Sequence, residues 1–275
     1  MTCRLLLSAL TLALSVAVHA QQEYVPDTLK REYTTQTMNA FGLGTAQMLD
    51  TYLSHEKYSG MELRFLNQTE RRDVDSRWSR MLHMQATLDY GSSRSDDGSM
   101  MDALFDFGYA RHYSWSWMAD RLQLQVGAMG EAYLGLGYCL RNQNNPVQMH
   151  LGTHISPSAI VSWRTHLWSR PLKLRYQVEM PLIGVMFAPN YGQSYYEIFN
   201  RGNYDHNVVV THPFNAFSIR QMVSADMSWG RHTLRIGFNM DIRQAEVNRI
   251  KQHNYSGTVM VGLVRHFQLS DIIAR

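Results

Sequence analysis

Long runs in which apolar and polar residues alternate constrain the fold of this chain more than any other feature. In residues 232–243 the intervening positions are polar or glycine, and one face carries only apolar side chains: Leu234, Ile236, Phe238, Met240 and Ile242. The same period recurs in residues 172–182, 121–128 and 82–90. This period predicts β-strands with one apolar face. The runs suit strands of about ten residues or more that cross a bilayer at a tilt.

The spacing of these runs predicts how the strands are connected. We predict ten strands, at residues 33–46, 57–72, 76–91, 99–117, 120–140, 147–168, 171–187, 214–229, 232–247 and 254–267. Short connections (73–75, 118–119, 169–170 and 230–231) alternate with longer ones (92–98, 141–146 and 188–213). An even number of strands places both chain ends on the periplasmic side, as in bacterial single-chain barrels. The sequence therefore predicts an all-β, antiparallel up-and-down transmembrane barrel of about ten strands, with twelve as the alternative.

Aromatic residues are sorted by strand end, which a soluble β-sandwich has no reason to do. Five tryptophans lie near short connections, and Trp163 lies deeper: the five are Trp78, Trp115, Trp117, Trp168 and Trp229. Tyrosines gather toward the longer loops, as with Tyr52, Tyr90, Tyr138 and Tyr255. Amphipathic rings at both membrane interfaces give this distribution. We therefore prefer a membrane barrel to a soluble periplasmic β-protein.

The first twenty residues predict a secretory signal peptide. Arg4 supplies a positive charge, residues 5–16 are apolar, and Val18-His19-Ala20 is a small-residue cleavage site. Residues 21–32 then form a short periplasmic lead, and residues 33–275 form the barrel. We expect a location in the outer membrane of a Gram-negative cell, with outer-membrane lipid and the barrel-assembly machinery as partners.

Composition excludes several classes of partner and cofactor. The formal net charge of +3 gives no case for nucleic acid. Cys139 is the one cysteine left after the signal peptide, so we predict no disulfide and a small buried or lipid-facing role for it. His150 and His154 lie about 13 Å apart if residues 150–154 are a strand, too far to share an ion. We predict neither a metal nor another cofactor.

Two stretches resemble a known family. They are Leu49–Ser54, with the sequence LDTYLS, and Pro181–Phe199, which contains PLIGVMFAP and YGQSYYEIF. They are similar to an uncharacterised family of Bacteroidota envelope proteins, domain of unknown function 3316. The resemblance covers nearly the whole mature chain. It implies a signal-bearing envelope protein with a barrel-like body, and it implies no catalytic residues.

If the apolar faces meet lipid, charged side chains of both signs point into the barrel. The predicted network comprises Arg220, Asp226, Arg235, Asp241, Arg243, Asp89, Asp102, Arg175 and Glu179. Further inward candidates are Glu62, Arg64, His83, Asp106, Arg121, Glu131, His150, His154, Arg164 and Lys173. A two-residue turn at 230–231 places Asp226 opposite Arg235 and Arg220 opposite Asp241. We interpret most of these residues as a structural network, because buried charges persist best in pairs.

Two groups of residues could carry hydrolytic chemistry. His154 and Ser156 share one strand face, as a base and a nucleophile would. Asp205 and His206 lie in the long loop, but adjacent side chains on a strand point oppositely, so they could act together only if the loop bends. Asp102 and Asp106 belong to this second group, in which they would supply the pair of carboxylates of a protease-like site. The sequence favours none of these over the structural interpretation.

The loop 188–213 is the best candidate for recognition. Its aromatic residues Tyr191, Tyr195, Tyr196 and Tyr204 could contact a glycan or a protein partner, although an inward-folded plug or an interface belt explains them better. The leading prediction is therefore a non-enzymatic structural or binding barrel, or a narrow pore, with a charged lumen. The alternative is an outer-membrane hydrolase that acts at the extracellular mouth.

Overall fold

The structure, a computed structural model, describes residues 33–73, 76–141, 145–167, 170–229 and 232–268. The predicted signal peptide, the lead and Trp168 lie outside the described residues, as does the side chain of Trp229. The elements are β1 (Tyr33–Asp50), β2 (Ser54–Asp73), β3 (Trp78–Ser93), β4 (Ser99–Trp117), β5 (Leu122–Cys139), β6 (Val147–Leu167), β7 (Arg170–Glu179), β8 (Ile183–Phe187), α1 (Tyr195–Phe199), β9 (Val208–Thr211), β10 (Ser218–Trp229), β11 (His232–Val247) and β12 (Ile250–Gln268). In the described part of the chain, no helix is long and apolar enough to span a bilayer.

Ten antiparallel strands close into a barrel, which confirms the predicted fold class. Strands β1 to β6 each pair with the next, β7 pairs with β10, and the ring continues through β11 and β12. It closes because β12 pairs with β1 along a ladder that runs from Thr34 opposite Gln268 to Asp50 opposite Gln252. Strands β8 and β9 are two extra strands that form a hairpin beside residues 151–155 of β6. We call the end where β1 begins and β12 ends the terminal end, and the opposite end the loop end.

The barrel is apolar outside and polar inside, the reverse of a soluble protein. Large exposed side chains such as Phe41, Leu63 and Leu134 cover the outer surface. Charged and amide side chains such as Glu62 and Gln85 are buried in the interior. The alternation in the sequence produces both faces, because successive strand residues point to opposite sides of the sheet.

Three of the predicted connections differ in the structure. The predicted strand 171–187 is interrupted at residues 180–182 and becomes β7 and β8, because Pro181 has no amide hydrogen to donate. The predicted loop 188–213 contains α1 and β9, and β10 begins at Ser218 instead of residue 214. Strands β1, β2 and β12 extend further than predicted, which leaves tight loop-end turns at 51–53 and 248–249. Asn248 and Arg249 both have positive φ angles, 52° and 63°, as a two-residue hairpin turn requires.

Two aromatic placements differ from the prediction. Trp163 was predicted to lie deep, but it pairs with Leu122, whose partner on the other side is Trp117. Because Leu122 is the first residue of β5 after the tight turn, Trp163 lies near the terminal end. Tyr52 was predicted for the outer belt at the loops, yet it is buried in a cluster at the loop end. Tyr90 and Tyr138 are exposed on the outer surface.

Apolar clusters lie within the interior beside its polar residues. The cluster at the loop end contains Met48, Tyr52, Leu53, Tyr58, Met100, Cys139 and Ile250. Cys139 is a buried free thiol there, and its sulfur lies 3.5 Å from the Tyr58 hydroxyl. Further inside, methionines dominate two more clusters, which include Met38, Met222 and Met260 in one and Met81 and Met129 in the other. Flexible thioether side chains fill irregular space in the interior of the barrel.

Candidate functional site

Arg220 on β10 is the centre of an ion-pair cluster inside the barrel. Its Nη2 and Nη1 atoms donate to Oε1 and Oε2 of Glu131 at 2.7 and 2.9 Å. Its Nη1 also donates to Glu179 Oε2 at 3.3 Å and to His83 Nε2 at 2.8 Å. Asp241 lies opposite Arg220 in the β10–β11 ladder, as the predicted turn requires, but its Oδ2 is 3.9 Å from Nε of Arg220. The closest partners, Glu131 on β5 and His83 on β3, therefore come from strands that are not adjacent to β10.

Asp241 joins this cluster to two more guanidinium groups. Arg243 donates to Asp241 Oδ2 at 2.8 Å and to Asp106 Oδ2 at 2.9 Å. Arg64 binds both oxygens of Glu62, at 2.7 and 2.8 Å, and lies 3.4 Å from Asp241 Oδ2. Buried charges of this kind are stable only when each has a partner, and removing one partner is costly.

Separate pairs occupy the terminal half of the interior. Arg235 binds Asp226 with two bonds, at 2.5 and 2.6 Å, and the two residues are opposite each other in the ladder. Arg175 on β7 donates to Glu70 on β2 at 3.0 Å. Glu70 is inward-facing although the sequence prediction omitted it. Its inward position follows from the alternation of β2, so the signal was present in the sequence.

A cavity of about 150 Å³ lies above the Arg220 cluster on the loop-end side. Its carboxylate groups are those of Asp50, Asp102, Asp106, Glu131, Glu179 and Asp241. Its other polar lining includes Ser156, His253, and His150, whose Nε2 lies 2.9 Å from Asp102 Oδ2. Met48, Met100, Met129 and Met186 contribute to its apolar lining.

Most of the predicted inward residues are buried or half-buried in the interior, and two are not. Arg121 and Arg164 are exposed at the terminal end. Arg121 precedes β5 in a turn whose residues Met118, Ala119 and Asp120 all have positive φ angles, so strand alternation does not govern its direction. Asp89 accepts a 2.5 Å bond from Asn254, which is another partner that sequence spacing did not indicate.

No hydrogen bond joins the candidate base and nucleophile on β6, His154 and Ser156. His154 and Ser156 both face inward, and His154 Nε2 lies 3.3 Å from Glu131 Oε1. Ser156 Oγ has no hydrogen-bond partner among the described residues, so it does not bond to His154. Asp102 and Asp106 face the cavity, and each is engaged, with His150 and Arg243 respectively.

Asp205 and His206 do contact each other, against the strand-based expectation. Nδ1 of His206 lies 2.5 Å from Oδ1 of Asp205, because His206 has a φ of 49° and the loop bends at that point. Both side chains are largely exposed to solvent. Within the described ranges, no three His, Cys, Asp or Glu side chains converge so that they could hold a metal ion.

The loop 188–207 forms a lid over the loop end, and its tyrosines divide into two groups. Tyr195 packs against Tyr52 with ring centroids 5.9 Å apart, accepts a bond from the Met149 amide at 2.7 Å, and donates to Gln148 Oε1 at 2.8 Å. Burial raises the pKa of Tyr195 above its ordinary value, so its hydroxyl remains a donor. Tyr191, Tyr196 and Tyr204 are exposed.

The helix of this lid has a complete capping box. Ser194 Oγ accepts from the Glu197 amide at 3.2 Å, and Glu197 Oε2 accepts from the Ser194 amide at 2.8 Å. The bonds that the amide and the hydroxyl of Ser194 donate to the Glu197 carboxylate hold the pKa of Glu197 below its ordinary range. Sequence reasoning missed this helix, although Ser194 followed three residues later by Glu197 is a recognisable start signal.

The sequence of the chain matches one family over almost its whole length. Residues 5–271 match the family described as "Protein of unknown function (DUF3316)". The chain belongs to this family. The recognition drawn from the Leu49–Ser54 and Pro181–Phe199 stretches is thus confirmed, while the Bacteroidota source stays a prediction. No curated protein matches the sequence.

Solved barrels resemble this family member in shape at very low sequence identity. The outer-membrane protease OmpT from Escherichia coli gives a TM-score of 0.48 at 8% identity, covering 89% of this chain and 99% of that one. The transport unit of the autotransporter AIDA-I from Escherichia coli gives 0.47 at 8% identity, covering 93% and 96%. The COG4313 outer-membrane channel from Pseudomonas putida F1 gives 0.36 at 10% identity, covering 89% and 100%. We take no functional conclusion from likenesses of this level.

Proposed function

We propose that this chain is an outer-membrane β-barrel that is closed to ion flow and presents a loop-end cavity for ligand binding. The observation that carries the proposal is a set of contacts across the lumen. Arg243–Asp106 at 2.9 Å, Arg220–His83 at 2.8 Å and Arg175–Glu70 at 3.0 Å each join strands five places apart in the ring of ten. Strands five places apart are diametrically opposite, so these side chains meet in the middle of the barrel and fill it.

The outer surface supports insertion into a membrane. A closed ring of strands satisfies its backbone hydrogen bonds internally, which is the condition for a β-structure in lipid. The outward faces carry large apolar side chains around the ring, such as Phe41, Phe107 and Ile236. Trp78, Tyr113 and Trp115 form an edge-to-face aromatic group near the terminal end, as at a membrane interface. We expect extraction from membranes to require detergent.

Single-channel recording in a planar bilayer tests the closed lumen. Protein whose insertion is shown by protease protection should give no conductance steps. The triple variant Arg175→Ala, Arg220→Ala, Arg243→Ala removes one partner from each cross-lumen contact and should conduct. The matched control Arg121→Ala, Arg164→Ala removes two exposed arginines and should stay silent. Stable conductance steps from the wild-type protein would overturn the proposal and make it a narrow pore.

A further inference from the structure

The wall of the barrel is interrupted where the segment that joins β7 to β8 lies beside the segment that joins β9 to β10. The β7–β10 ladder ends at Glu179 opposite Arg220, and the β8–β9 ladder begins at Gly184 opposite Thr211. Among the described residues, no strand pairing or backbone hydrogen bond joins 180–183 to 212–219. We call this gap the wall break.

The backbone groups on both sides of the wall break turn away from it. The amides of Met180 and Leu182 donate to β6, at 3.3 and 3.0 Å. The amides of Asn215 and Ala216 donate back to the His212 carbonyl within a tight turn. These four amides therefore donate away from the break, as backbone donors that face lipid must.

The wall break lies within the apolar band of the outer surface. Ile183 at its edge pairs with Ile155 of β6, which is eight residues along that strand from the interfacial Trp163. Eight residues of a tilted strand rise about 20 Å, and the apolar band of such barrels is about 25 Å tall. Leu182 and Ile183 on one side of the break are exposed apolar residues, and Phe214 at the tip of the turn on the other side is 97% exposed.

The cavity above the Arg220 cluster reaches this break. Pro181, Ala216 and Ile219 line the cavity and also belong to the segments that border the break. Among the described residues that line the cavity, Ser156 Oγ and His253 Nε2 are buried polar atoms with neither a hydrogen-bond nor an ion-pair partner, and these residues are 0% and 8% exposed. Buried polar groups without a partner are uncommon, and a ligand is one explanation for them.

The charge of the cavity selects against anions. Its six carboxylates face two guanidiniums, those of Arg220 and Arg243, and both are already bound to carboxylates. Its three histidines, His150, His154 and His253, would still leave an excess of one negative charge if all were protonated. A cavity of about this volume elsewhere accepts a benzene-sized group, so it holds a head group and not a whole lipid.

We propose that the cavity binds the head of a single-chain cationic amphiphile, a long-chain amine, whose hydrocarbon tail passes through the wall break into the membrane. The amine would contact the carboxylates and Ser156, and the tail would contact Pro181, Ala216 and Ile219. This inference rests on the membrane insertion that is part of the proposed function, because it uses the membrane as the source of the ligand.

Binding of radiolabelled dodecylamine tests the inference. The full barrel is reconstituted in phosphatidylcholine vesicles, and uptake into protein-free vesicles is subtracted. We expect saturable binding of about one amine per barrel. Butylamine should compete at least about tenfold more weakly, because it lacks most of the buried methylenes. Dodecanoate should also compete at least about tenfold more weakly, because its carboxylate meets like charges. Uptake that does not saturate, or equal competition by either compound, would overturn the proposal.

A variant with a matched control locates the path of the tail. Ala216→Phe places a ring in the wall break and should weaken dodecylamine binding by at least about tenfold, since it displaces the tail. Ala103→Phe adds the same ring to the outer face of β4, away from the break, and should leave binding unchanged. Equal binding by wild type and Ala216→Phe would contradict the proposed path.

The two proposals can fail separately. A silent barrel that does not bind dodecylamine would retain the closed lumen and eliminate the amphiphile. A conducting barrel that binds one amine would eliminate the closed lumen and retain the cavity ligand.

Discussion

The wall of this barrel consists of two regions that differ in continuity. From β11 through β12 and β1 to β6, each strand has 16 to 21 residues and pairs with its neighbours along most of its length. Between β6 and β11 the strands are short: β8 has 5 residues and β9 has 4. The continuous wall has no break of this kind, whereas the interrupted wall borders the cavity.

The difference shows what a filled lumen requires of the surrounding strands. Where the wall is continuous, alternation places charged residues on the same inward face of a strand, as with Glu62 and Arg64 of β2, whose distance is 2.7 Å. Where it is interrupted, Pro181, Ala216 and Ile219 of the segments beside the break line the cavity. The buried Ser156 Oγ remains without a partner on the neighbouring β6. The cavity therefore lies beside the wall break.

The largest expected effect comes from removing the cation that ties the two regions together. Arg220→Met leaves Glu131 and Glu179 buried without their main partner, and we expect the free energy of unfolding to fall by about 3 to 5 kcal/mol. Equilibrium urea unfolding in vesicles measures it. Arg121→Met, at an exposed position, is the control. An unchanged unfolding midpoint for Arg220→Met would mean that the network does not hold the two regions together.

The next effect probes the close strand contact of the continuous wall. A Cβ at Gly60 would collide with the backbone carbonyl of Tyr90 on β3, so Gly60→Ala should lower the free energy of unfolding by about 1 to 3 kcal/mol. A Cβ at Gly130 on the outer face of β5 meets no atom within 4 Å, and Gly130→Ala should be neutral. The same urea titration compares the two variants. Equal stability of the two variants would show that the contact between β2 and β3 rearranges to accommodate the added methyl group.

A smaller effect concerns the attachment of the lid to β6. Tyr195→Phe removes the hydroxyl that accepts from the Met149 amide and donates to Gln148. We therefore expect the free energy of opening of the lid to fall by about 1 to 2 kcal/mol. Native-state hydrogen exchange of the lid amides measures the opening. Tyr196→Phe, on an exposed ring, supplies the reference. If both variants exchange alike, the Tyr195 hydroxyl does not attach the lid.

The smallest effect is a pH dependence of the lid helix. The pKa of Glu197 is lowered in the folded state by its bonds from Ser194, so the ionised carboxylate stabilises the cap above the unfolded pKa. This contribution is lost as the pH falls through the folded pKa, below the ordinary glutamate range. Amide chemical shifts of residues 195–199 across an acid titration report it. Glu197→Gln should abolish the transition, and a transition that persists in this variant belongs to another group.

The sequence predicted the fold well where alternation alone decides the structure. Strand β11 was predicted with its observed bounds, 232–247, because its apolar positions are uninterrupted and a tight turn precedes it. The same turn placed Asp226 opposite Arg235. Partners beyond the neighbouring strand could not be predicted, because the contact of Arg220 with Glu131 depends on closure of the ring. The level of Trp163 likewise depends on strand stagger, which a single sequence does not specify.

The wall break had a signal in the sequence that alternation concealed. Pro181 lies inside the predicted strand 171–187, and Pro213 directly precedes the predicted strand 214–229. A proline within a strand removes a ladder bond and argues for an edge or a bulge. The cavity itself could not be predicted, because its lining comes from strands far apart in the sequence.

The closing ladder between β1 and β12 sets the order in which the molecule can assemble. Its partners, from Thr34 with Gln268 to Asp50 with Gln252, are more than two hundred positions apart in the sequence. Contacts of such long range form slowly, because the chain entropy of closure is lost before the contacts compensate for it. Until closure, β1 and β12 are free edges that can pair with another chain. The opposite-wall bond between Arg175 and Glu70 requires a closed ring, so the slow step that joins the edges also removes these charges from water.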